Sequence, residues 1–581
     1  MSQVQSQAAN SEGVTAGRRK ARLRLDAPFF SMTLATVAVG FLVLYPLGML
    51  LFGSFWTSRP GFPGSFTLQN YITAYTDFGT FQLLLNTVLL IGAKTIIATT
   101  IAVVLAWIVT RTDTPYRGLL EVLIICPYFV PGILEAVGWI MLLSPRSGTI
   151  NVLLMNLFGL REPPFNVYSL GGMIWVMSIG SGSFMFLLVV SALRTMDGSL
   201  EEAARTSGAG PVRTALTVTL PMIAPVILGA SMLSFIRAMD SFEVPVLLGL
   251  PARIFVFSNK IYAAVEYDYP VNYGLATSLG VSLIALTLGL ILFQNKLLHG
   301  KEFFVVTGKG YKPQVVRLGR FRHLTFAVCV GYFLIGTVLP LSQIFMGSFM
   351  YVFGMFRPDN FTLDNYKQIV FDPAIWRGLK NTLWVGGLAA VVTMLLCSII
   401  AYIITRTKYI GRRALDVMVW LPWTIPGIVA GLGFLWAYVN FPIPLYGTIA
   451  LLMIAFITNG LPLGVRLMAG SLVQLGPELE ECSRVLGASW VYTFRKIIVP
   501  LVRPAMAAVV LMLFVAFSRS VSSVILLAGH GRELLSVVLF THTQSGEMEI
   551  VAAASMVLLA LNVIGLVVAR RLGAFGVRDV G

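Results

Sequence analysis

The sequence predicts an all-α polytopic membrane protein with about twelve transmembrane helices, arranged as two parallel six-helix repeats. Hydrophobic residues form 57% of the 581 and charged residues 12%, with a mean hydropathy of +0.82; soluble domains are far more polar. Apolar runs long enough to cross the hydrocarbon, roughly twenty residues each, recur along the chain. Short motifs of the first half return in the second half at a constant spacing, which indicates a duplicated unit.

The apolar runs divide the chain into two six-helix units. The first run is longer than the core of a signal peptide and lacks a small-residue cleavage site, so we interpret it as a retained span. We predict a cytoplasmic N-terminal arm at 1–28, a first unit at 29–297, a connector at 298–322 and a second unit at 323–581. The predicted spans are 29–53, 82–110, 119–143, 169–193, 223–250, 273–297, 323–349, 378–405, 415–438, 447–472, 503–528 and 546–570.

The two units share motifs in register. The sequence FTLQNY at 66–71 matches FTLDNY at 361–366, and Pro131-Gly132 matches Pro426-Gly427, both at an offset of 295. An even number of spans per unit brings both copies into the membrane from the same side, so the repeats are parallel. The Pro-Gly pairs in both third spans predict bent helices that line a conduit.

The basic residues predict the orientation. They concentrate in the N-terminal arm, the loops after the second and eighth spans, the connector and the C-terminal tail, all on one side of a twelve-span topology. By the positive-inside rule that side is cytoplasmic, so we predict that both termini of this multi-pass protein lie in the cytoplasm. The formal charge of +16 is therefore explained by topology and membrane lipid, and we predict no nucleic-acid partner.

A charged, glycine-punctuated island interrupts the apolar pattern once in each unit. The copies occupy residues 200–225 and 479–504, at an offset of 279. Each begins with acidic residues, which favour the first turn of a helix, and continues with a glycine that ends or bends it. We predict two short helices joined by a bend, lying on the cytoplasmic face where a soluble protein can dock. An ordinary polar loop is the alternative, but the matched duplication disfavours it.

The first island resembles the EAA motif, E-A-A-x3-G-x9-I-x-L-P, of the permease subunits of binding-protein-dependent ABC importers. The match comprises Glu202, Ala203, Ala204, Gly208, Val218, Leu220 and Pro221, with valine standing for isoleucine. The second island keeps the spacing with Glu481, Gly487, Ile497 and Pro500. It departs from the motif with Cys482 and Ser483 in place of the two alanines, and with Val499 in place of leucine.

The resemblance implies a type I importer permease that docks two copies of a separate ABC ATPase subunit, while a periplasmic or lipid-anchored binding protein supplies substrate. The chain has no G-x4-G-K-[ST] phosphate loop, so we expect a transport subunit that is not itself an enzyme and binds no cofactor, with ATP used by the partner. The residues expected to couple to the ATPase are Glu201, Glu202, Ala203, Ala204, Gly208, Glu480, Glu481, Cys482, Ser483 and Gly487.

The substrate is less well specified than the transporter class. The fused layout, with DSFEVPVLLG at 240–249 after the first island, resembles the ferric-iron transport permease group. Similar permeases serve thiamine, polyamines or phosphonates, and these remain alternatives. An ion-driven secondary transporter is the alternative class, although it would not explain the paired islands. An integral-membrane enzyme has little support, because no catalytic cluster gathers at one membrane face.

Charged residues inside predicted spans are candidates for a pore or gate, because such charges are costly in lipid. Arg237, Asp240 and Glu243 follow one another at three-residue intervals, so we expect them on one face of the fifth span, and Arg519 takes the place of Asp240 in the second unit. We hypothesise that Asp240 and Arg519 face each other near the pseudo-symmetry axis. The alternative is local, with Arg237 satisfying Asp240.

Two further intramembrane charges allow plainer interpretations. Glu135 follows the first Pro-Gly pair and is replaced by Ala430 in the second unit; it either faces the conduit or accepts a hydrogen bond from a neighbouring helix. Lys94 is expected to be a packing or snorkelling charge. The four cysteines and four histidines show no metal-ligand spacing, so we predict no metal site and interpret the thiols as buried and free.

Overall fold

The computed structural model describes residues 27–76, 78–298, 315–355 and 357–571. These residues fold into helices, with three isolated β-bridges among the loops. Ten helices are long and apolar enough to cross a membrane, and two bent pairs raise the number to as many as twelve. Residues 1–26 of the predicted N-terminal arm, most of the predicted connector and the end of the basic tail lie outside the described residues; the last two residues predicted for the arm belong to α1.

The described residues of the first half form twelve α-helices: α1 Ala27–Ser54, α2 Gln69–Thr76, α3 Phe78–Arg111, α4 Arg117–Phe129, α5 Gly132–Leu143, α6 Thr149–Phe158, α7 Leu170–Thr195, α8 Ser199–Thr206, α9 Pro211–Thr214, α10 Leu220–Met239, α11 Phe257–Glu266 and α12 Tyr273–Leu298. Two π-helical turns accompany them, Ala215–Thr219 and Pro245–Gly249. The first of these turns joins α9 to α10, which makes one continuous helix of Pro211–Met239.

The second half contains thirteen: α13 Arg322–Phe333, α14 Leu339–Gly347, α15 Asp364–Phe371, α16 Pro373–Asn381, α17 Gly387–Arg406, α18 Arg412–Trp420, α19 Gly427–Tyr438, α20 Ile449–Val473, α21 Glu478–Val485, α22 Trp490–Thr493, α23 Val499–Ser518, α24 Leu535–Ser545 and α25 Met548–Arg571. Its π-helical turns are Leu334–Val338, Thr382–Gly386 and Phe494–Ile498, and its 3-10 turns are Gly319–Phe321, Pro358–Asn360 and Leu421–Thr424.

Proline bends the third span of each half sharply. The axes of α4 and α5 meet at 93°, and the corresponding bend before α19 is 112°. Proline pushes the preceding residue out of the helical region and supplies no N–H; Val130 is accordingly extended (φ −70°, ψ 126°) before Pro131, as is Ile425 (φ −105°, ψ 119°) before Pro426. The bent helices predicted from the Pro-Gly pairs are confirmed.

Each bent pair counts as one crossing. In the first half, Arg194 near the end of α7 contacts Glu121 in α4, with 2.5 Å between Nη2 and Oε2. Just before the other end of α7, the Val167 amide donates to the carbonyl of Leu143, the last residue of α5 (3.3 Å). The pair α4–α5 therefore traverses the same distance as α7. The prediction of an all-α protein with two six-helix repeats is confirmed.

The two halves interlock through their first and third spans. Helix α1 packs against α19 of the other half, and α14 packs reciprocally against α5. Glycines permit both close approaches: a Cβ on Gly138 would lie 2.7 Å from the Pro340 Cβ, and one on Gly433 would lie 3.0 Å from the Pro46 carbonyl oxygen. Each half thus completes its packing with a helix from the other.

The fifth and eleventh spans end earlier than predicted. Helix α10 stops at Met239, not at residue 250, and α23 stops at Ser518, not at 528. The residues after Met239 turn, form the π-helical turn Pro245–Gly249 and continue into the largely buried α11. The expectation that Arg237, Asp240 and Glu243 share one face of a continuous helix is wrong, because the helix ends between them.

Candidate functional site

The two islands form matching helical loops on the face of the molecule where α3 and α7 end, which we call the loop face. In the first, α8 ends before Gly208 (φ +85°) and Pro211 begins α9. In the second, α21 ends before Gly487 (φ +80°) and α22 follows. Glycine suits both turns because side chains rarely adopt this left-handed conformation. The first short helix and the bend predicted for each loop are confirmed. The second predicted short helix is wrong for the first loop, because Pro211 begins the continuous helix Pro211–Met239.

The two adjacent glutamates of the first loop point in different directions. Glu201 is 3% exposed, and its Oε1 accepts hydrogen bonds from Arg111 Nε (3.0 Å) and Thr219 Oγ1 (2.7 Å). Arg111, 2% exposed, also donates from Nη2 to the carbonyl of Leu193 (2.9 Å). Glu202 is half-buried. Arg111 therefore ties the loop to the ends of α3 and α7.

We call the buried arginine and its contacts to the loop and the helix ends an anchor. The second loop has a similar anchor with a longer arginine–glutamate distance. Arg406 Nε lies 3.5 Å from Glu480 Oε1, and its Nη2 donates to the carbonyls of Leu472 (2.5 Å) and Leu475. Tyr402 adds a hydroxyl that donates to Glu480 Oε2 (2.8 Å). Sequence reasoning did not select either arginine as functional, although the repeated Thr-Arg-Thr at 110–112 and 405–407 was the available signal.

The exposed positions of the loops include both small and acidic residues. Ala203 is exposed in the first loop, and Glu481 and Cys482 are exposed in the second, so Cys482 is not the buried thiol that we expected. Ser483 is buried instead, and its hydroxyl lies 2.8 Å from Thr493 Oγ1. Serine at this motif position supports the loop from inside.

A central cavity of about 620 Å³ lies between the halves. Arg237, Asp240, Glu243 and Arg519 all line it, so the break after α10 brings these charges together even though they share no helical face. Asp240 Oδ1 accepts a hydrogen bond from the amide of Gly427, the first residue of α19 (2.6 Å). This bond joins the end of α10 in one half to the bent third span of the other.

A smaller cavity of about 210 Å³ adjoins the central one and shares Arg237, Glu243 and Arg519 with it. Glu135 lines this side cavity, not the central one. Lys94 lines it too: the side chain is 3% exposed, and Nζ donates to Ser234 Oγ (3.1 Å). Of the two interpretations predicted for Lys94, snorkelling is wrong and the packing interpretation is supported, because the side chain is buried against α10.

Comparison with known proteins places the chain in a family. The family described as "Binding-protein-dependent transport system inner membrane component" matches residues 98–298 and 394–574, which is more than half of the chain. The chain belongs to this family. It is a permease component of a binding-protein-dependent ABC importer and a multi-pass inner-membrane protein, and both family matches contain one of the loops.

Relatives of this permease align with most of its length. It is 25% identical over 527 residues to the ferric transport system permease protein FbpB of Actinobacillus pleuropneumoniae, covering 90% of this chain and 74% of that one. It is 26% identical over 501 residues to a putative FbpB 1 of Haemophilus influenzae (86% and 77%). A crystallised bacterial ABC transporter involved in alginate import aligns with 46% of this chain and 93% of its own at a TM-score of 0.40 and 21% identity.

The permease offers no ready coordination shell for a metal. Within the residues that the structure describes, no group of three or more histidine, cysteine, aspartate or glutamate side chains is placed to hold a metal ion. The central cavity instead mixes two carboxylates, Asp240 and Glu243, with two guanidinium groups, Arg237 and Arg519. A charge-balanced lining of this kind suits passage better than tight retention of an ion.

The proposed pairing of Asp240 with Arg519 stays a prediction that can be tested by charge reversal. We expect Asp240→Arg and Arg519→Asp each to abolish transport, because each leaves two like charges across a low-dielectric cavity. The double reversal should restore part of the uptake measured in vesicles. The restoration will be incomplete, since Arg cannot accept the Gly427 hydrogen bond. No rescue at normal expression would count against the pairing.

Proposed function

We propose that this permease is the transmembrane subunit of an ATP-driven importer of ferric iron. Two copies of a separate ATPase subunit bind the loop face, which lies in the cytoplasm, and a periplasmic or lipid-anchored binding protein delivers iron to the opposite face. The observation that carries the coupling proposal is the duplicated loop with its buried arginine anchor. The iron assignment rests on the two FbpB relatives, which match most of the chain.

The geometry suggests how ATP-driven movement reaches the membrane. When the ATPase dimer closes, it draws the two loops together, and each anchor passes the displacement to the helix ends it binds. In the first half these are the ends of α3 and α7, joined by Arg111. A packed, hydrogen-bonded element moves as a body, so a shift at the loop rotates the half rather than bending the loop alone. The central cavity then opens alternately to the two sides.

Uptake by a reconstituted complex tests this proposal. The permease, its ATPase and its binding protein in proteoliposomes should accumulate radioactive iron only with internal ATP and iron-loaded binding protein. Spermidine, thiamine and methylphosphonate, offered in competition, should not reduce uptake. Saturable uptake of one of these in place of iron would overturn the iron assignment. Ion-gradient-driven uptake by the permease alone would overturn the ABC mechanism in favour of a secondary transporter.

A variant of an exposed arginine on the loop face serves as a control for changes to the buried arginine anchors in the same vesicles. Arg194 lies on the loop face, but its side chain is 56% exposed and pairs with Glu121 at the surface. Surface pairs contribute about 0–1 kcal/mol, so Arg194→Ala should transport iron like the unmodified permease. Loss of transport in this control would show that any charge change on the loop face is disruptive, and that the anchors have no special role.

A further inference from the structure

The side cavity in the first half is built from charges that the fold does not require. Its lining includes three cations, Lys94, Arg237 and Arg519, and two carboxylates, Glu135 and Glu243. Each charge placed inside a membrane protein is costly unless it is paired or used. A volume of about 210 Å³ is room for several waters or a small polyatomic ion.

The second half supplies an internal control. At the register of the repeats, Lys94, Glu135 and Arg237 are replaced by alanines, and Ser234 and Glu243 by leucine and serine. The replacements are Ala389, Ala430, Ala516, Leu513 and Ser522. Ala389 and Leu513 are fully buried, and Leu513, Ala516 and Ser522 line the central cavity, so the second half has uncharged side chains at all five positions. The same architecture therefore forms without these charges, and their presence in the first half calls for a ligand.

The lining constrains what that ligand can be. Three cations and two carboxylates line the side cavity, while Asp240 lines only the central one. The side cavity itself therefore has an excess of positive charge, which repels a bare metal cation and attracts an anion. The Lys94 ammonium group has three N–H donors. It donates to the carbonyl and the hydroxyl of Ser234, which leaves a donor for a ligand. An anion seated between Lys94 and Arg237 would receive charge-assisted hydrogen bonds from both.

Glu135 adds a second requirement. Its Oε1 is shielded from solvent and accepts no hydrogen bond from the described part of the chain. A buried carboxylate oxygen without a donor is costly, and rotation about the terminal torsion can turn either oxygen toward the cavity. A ligand hydroxyl could supply the missing donor. An anion without a hydrogen to donate would instead face the Glu135 carboxylate unfavourably.

We propose that the side cavity binds a small oxyanion that also carries a hydroxyl hydrogen, the chemistry shared by hydrogencarbonate and hydrogen phosphates. Its negative oxygens lie toward Lys94 and Arg237, and its hydroxyl donates to Glu135. Because Arg237, Glu243 and Arg519 line both cavities, the bound anion contributes its charge to the wall of the central cavity. The inference goes beyond the proposed iron transport and does not depend on the identity of the cargo.

Equilibrium dialysis of the purified full-length permease in a phosphate-free glycoside detergent tests the site. The probes are radioactive inorganic phosphate, hydrogencarbonate and sulfate at pH 7, because sulfate has the same oxyanion character without a hydroxyl hydrogen. We expect one saturable site per chain for phosphate, hydrogencarbonate or both, and at least about tenfold weaker binding of sulfate, the scale of one lost charge-assisted hydrogen bond. No saturable binding, or sulfate binding as tightly as both other anions, would overturn the proposal.

Two variants assign the binding to the cavity. Lys94→Ala and Glu135→Ala introduce the residue that the second half already holds, so both should fold, and thermal unfolding of each is measured alongside. Lys94→Ala should weaken binding of the preferred anion about tenfold or more, whereas Glu135→Ala should remove the preference over sulfate. Arg194→Ala, outside the cavity, should change neither. Unaltered binding in Lys94→Ala, or a preference that survives Glu135→Ala, would place the anion elsewhere and refute the assignment. The assay contains neither iron nor ATPase, so its failure is distinguishable from failure of iron transport.

Discussion

Replacing Arg111 with alanine is expected to disconnect the first coupling loop from the transmembrane helices and to reduce transport at least about tenfold. The change leaves the Glu201 carboxylate buried without its cationic partner, and breaking one side of such a pair costs about 3–5 kcal/mol. It also frees the Leu193 carbonyl at the end of α7. The measurement is ATP hydrolysis stimulated by loaded binding protein, together with iron uptake, in proteoliposomes of the full complex.

The second half provides the comparison for this expectation. Arg406→Ala should have a smaller effect, since Arg406 lies 3.5 Å from Glu480 and Tyr402 still holds that carboxylate at 2.8 Å. A double change, Arg111→Met with Glu201→Met, removes both charges and should recover stability relative to either single change, without recovering coupling. Normal stimulation of ATP hydrolysis in Arg111→Ala, or a larger loss of stimulation in Arg406→Ala, would contradict the proposed role of the Arg111 anchor.

Substituting valine at both Gly208 and Gly487 is expected to abolish association with the ATPase while leaving membrane insertion intact. Each glycine has a positive φ, +85° and +80°, which costs an L-residue about 1–2 kcal/mol and more when it is β-branched. No atom lies within 4 Å of the added Cβ in either case, so the penalty arises from the backbone and from the altered docking surface. Co-purification of the ATPase with the permease is the measurement.

Asparagine separates these two causes. It tolerates the left-handed conformation better than valine does, so Gly208→Asn with Gly487→Asn should retain part of the association if backbone strain dominates. An equal loss of ATPase association with asparagine would show that the docking surface tolerates no side chain at these two positions. The single variants then report whether the two loops contribute equally. Undiminished transport in the double valine variant would refute a coupling role for the bends.

The sequence predicted those parts of the fold that depend on periodicity and repetition. Twelve apolar runs, the bends at Pro131 and Pro426 and the bent loop helices all follow from local rules. The end of α10 does not: residues 240–250 are apolar enough to continue a span, yet they turn at Asp240, whose carboxylate bonds the amide of Gly427. A tertiary contact between residues so far apart overrides the local pattern.

In the candidate site, the direction of individual side chains was the feature that the sequence could not predict. Glu201 and Glu202 are equivalent acids in the first turn of α8, but their different positions around the helix axis bring Glu201 to Arg111 and leave Glu202 half-buried. Ser483 and Lys94 likewise could not be assigned to the interior of a loop or a cavity before their neighbours were known. Aligning the two halves would have identified Lys94 as a candidate site residue, since its counterpart is an alanine.

The interlock of the halves also determines when the first one can be completed. The Tyr45 hydroxyl of α1 donates to the Ala437 carbonyl of α19, across a separation of 392 residues. A ribosome adds about 5–20 residues per second, so α1 waits roughly 20–80 s in the bilayer before its partner is made. Lipid tails solvate an apolar helix well enough for it to wait. Helix α1 therefore docks late, and synthesis of the second half completes the packing of the first.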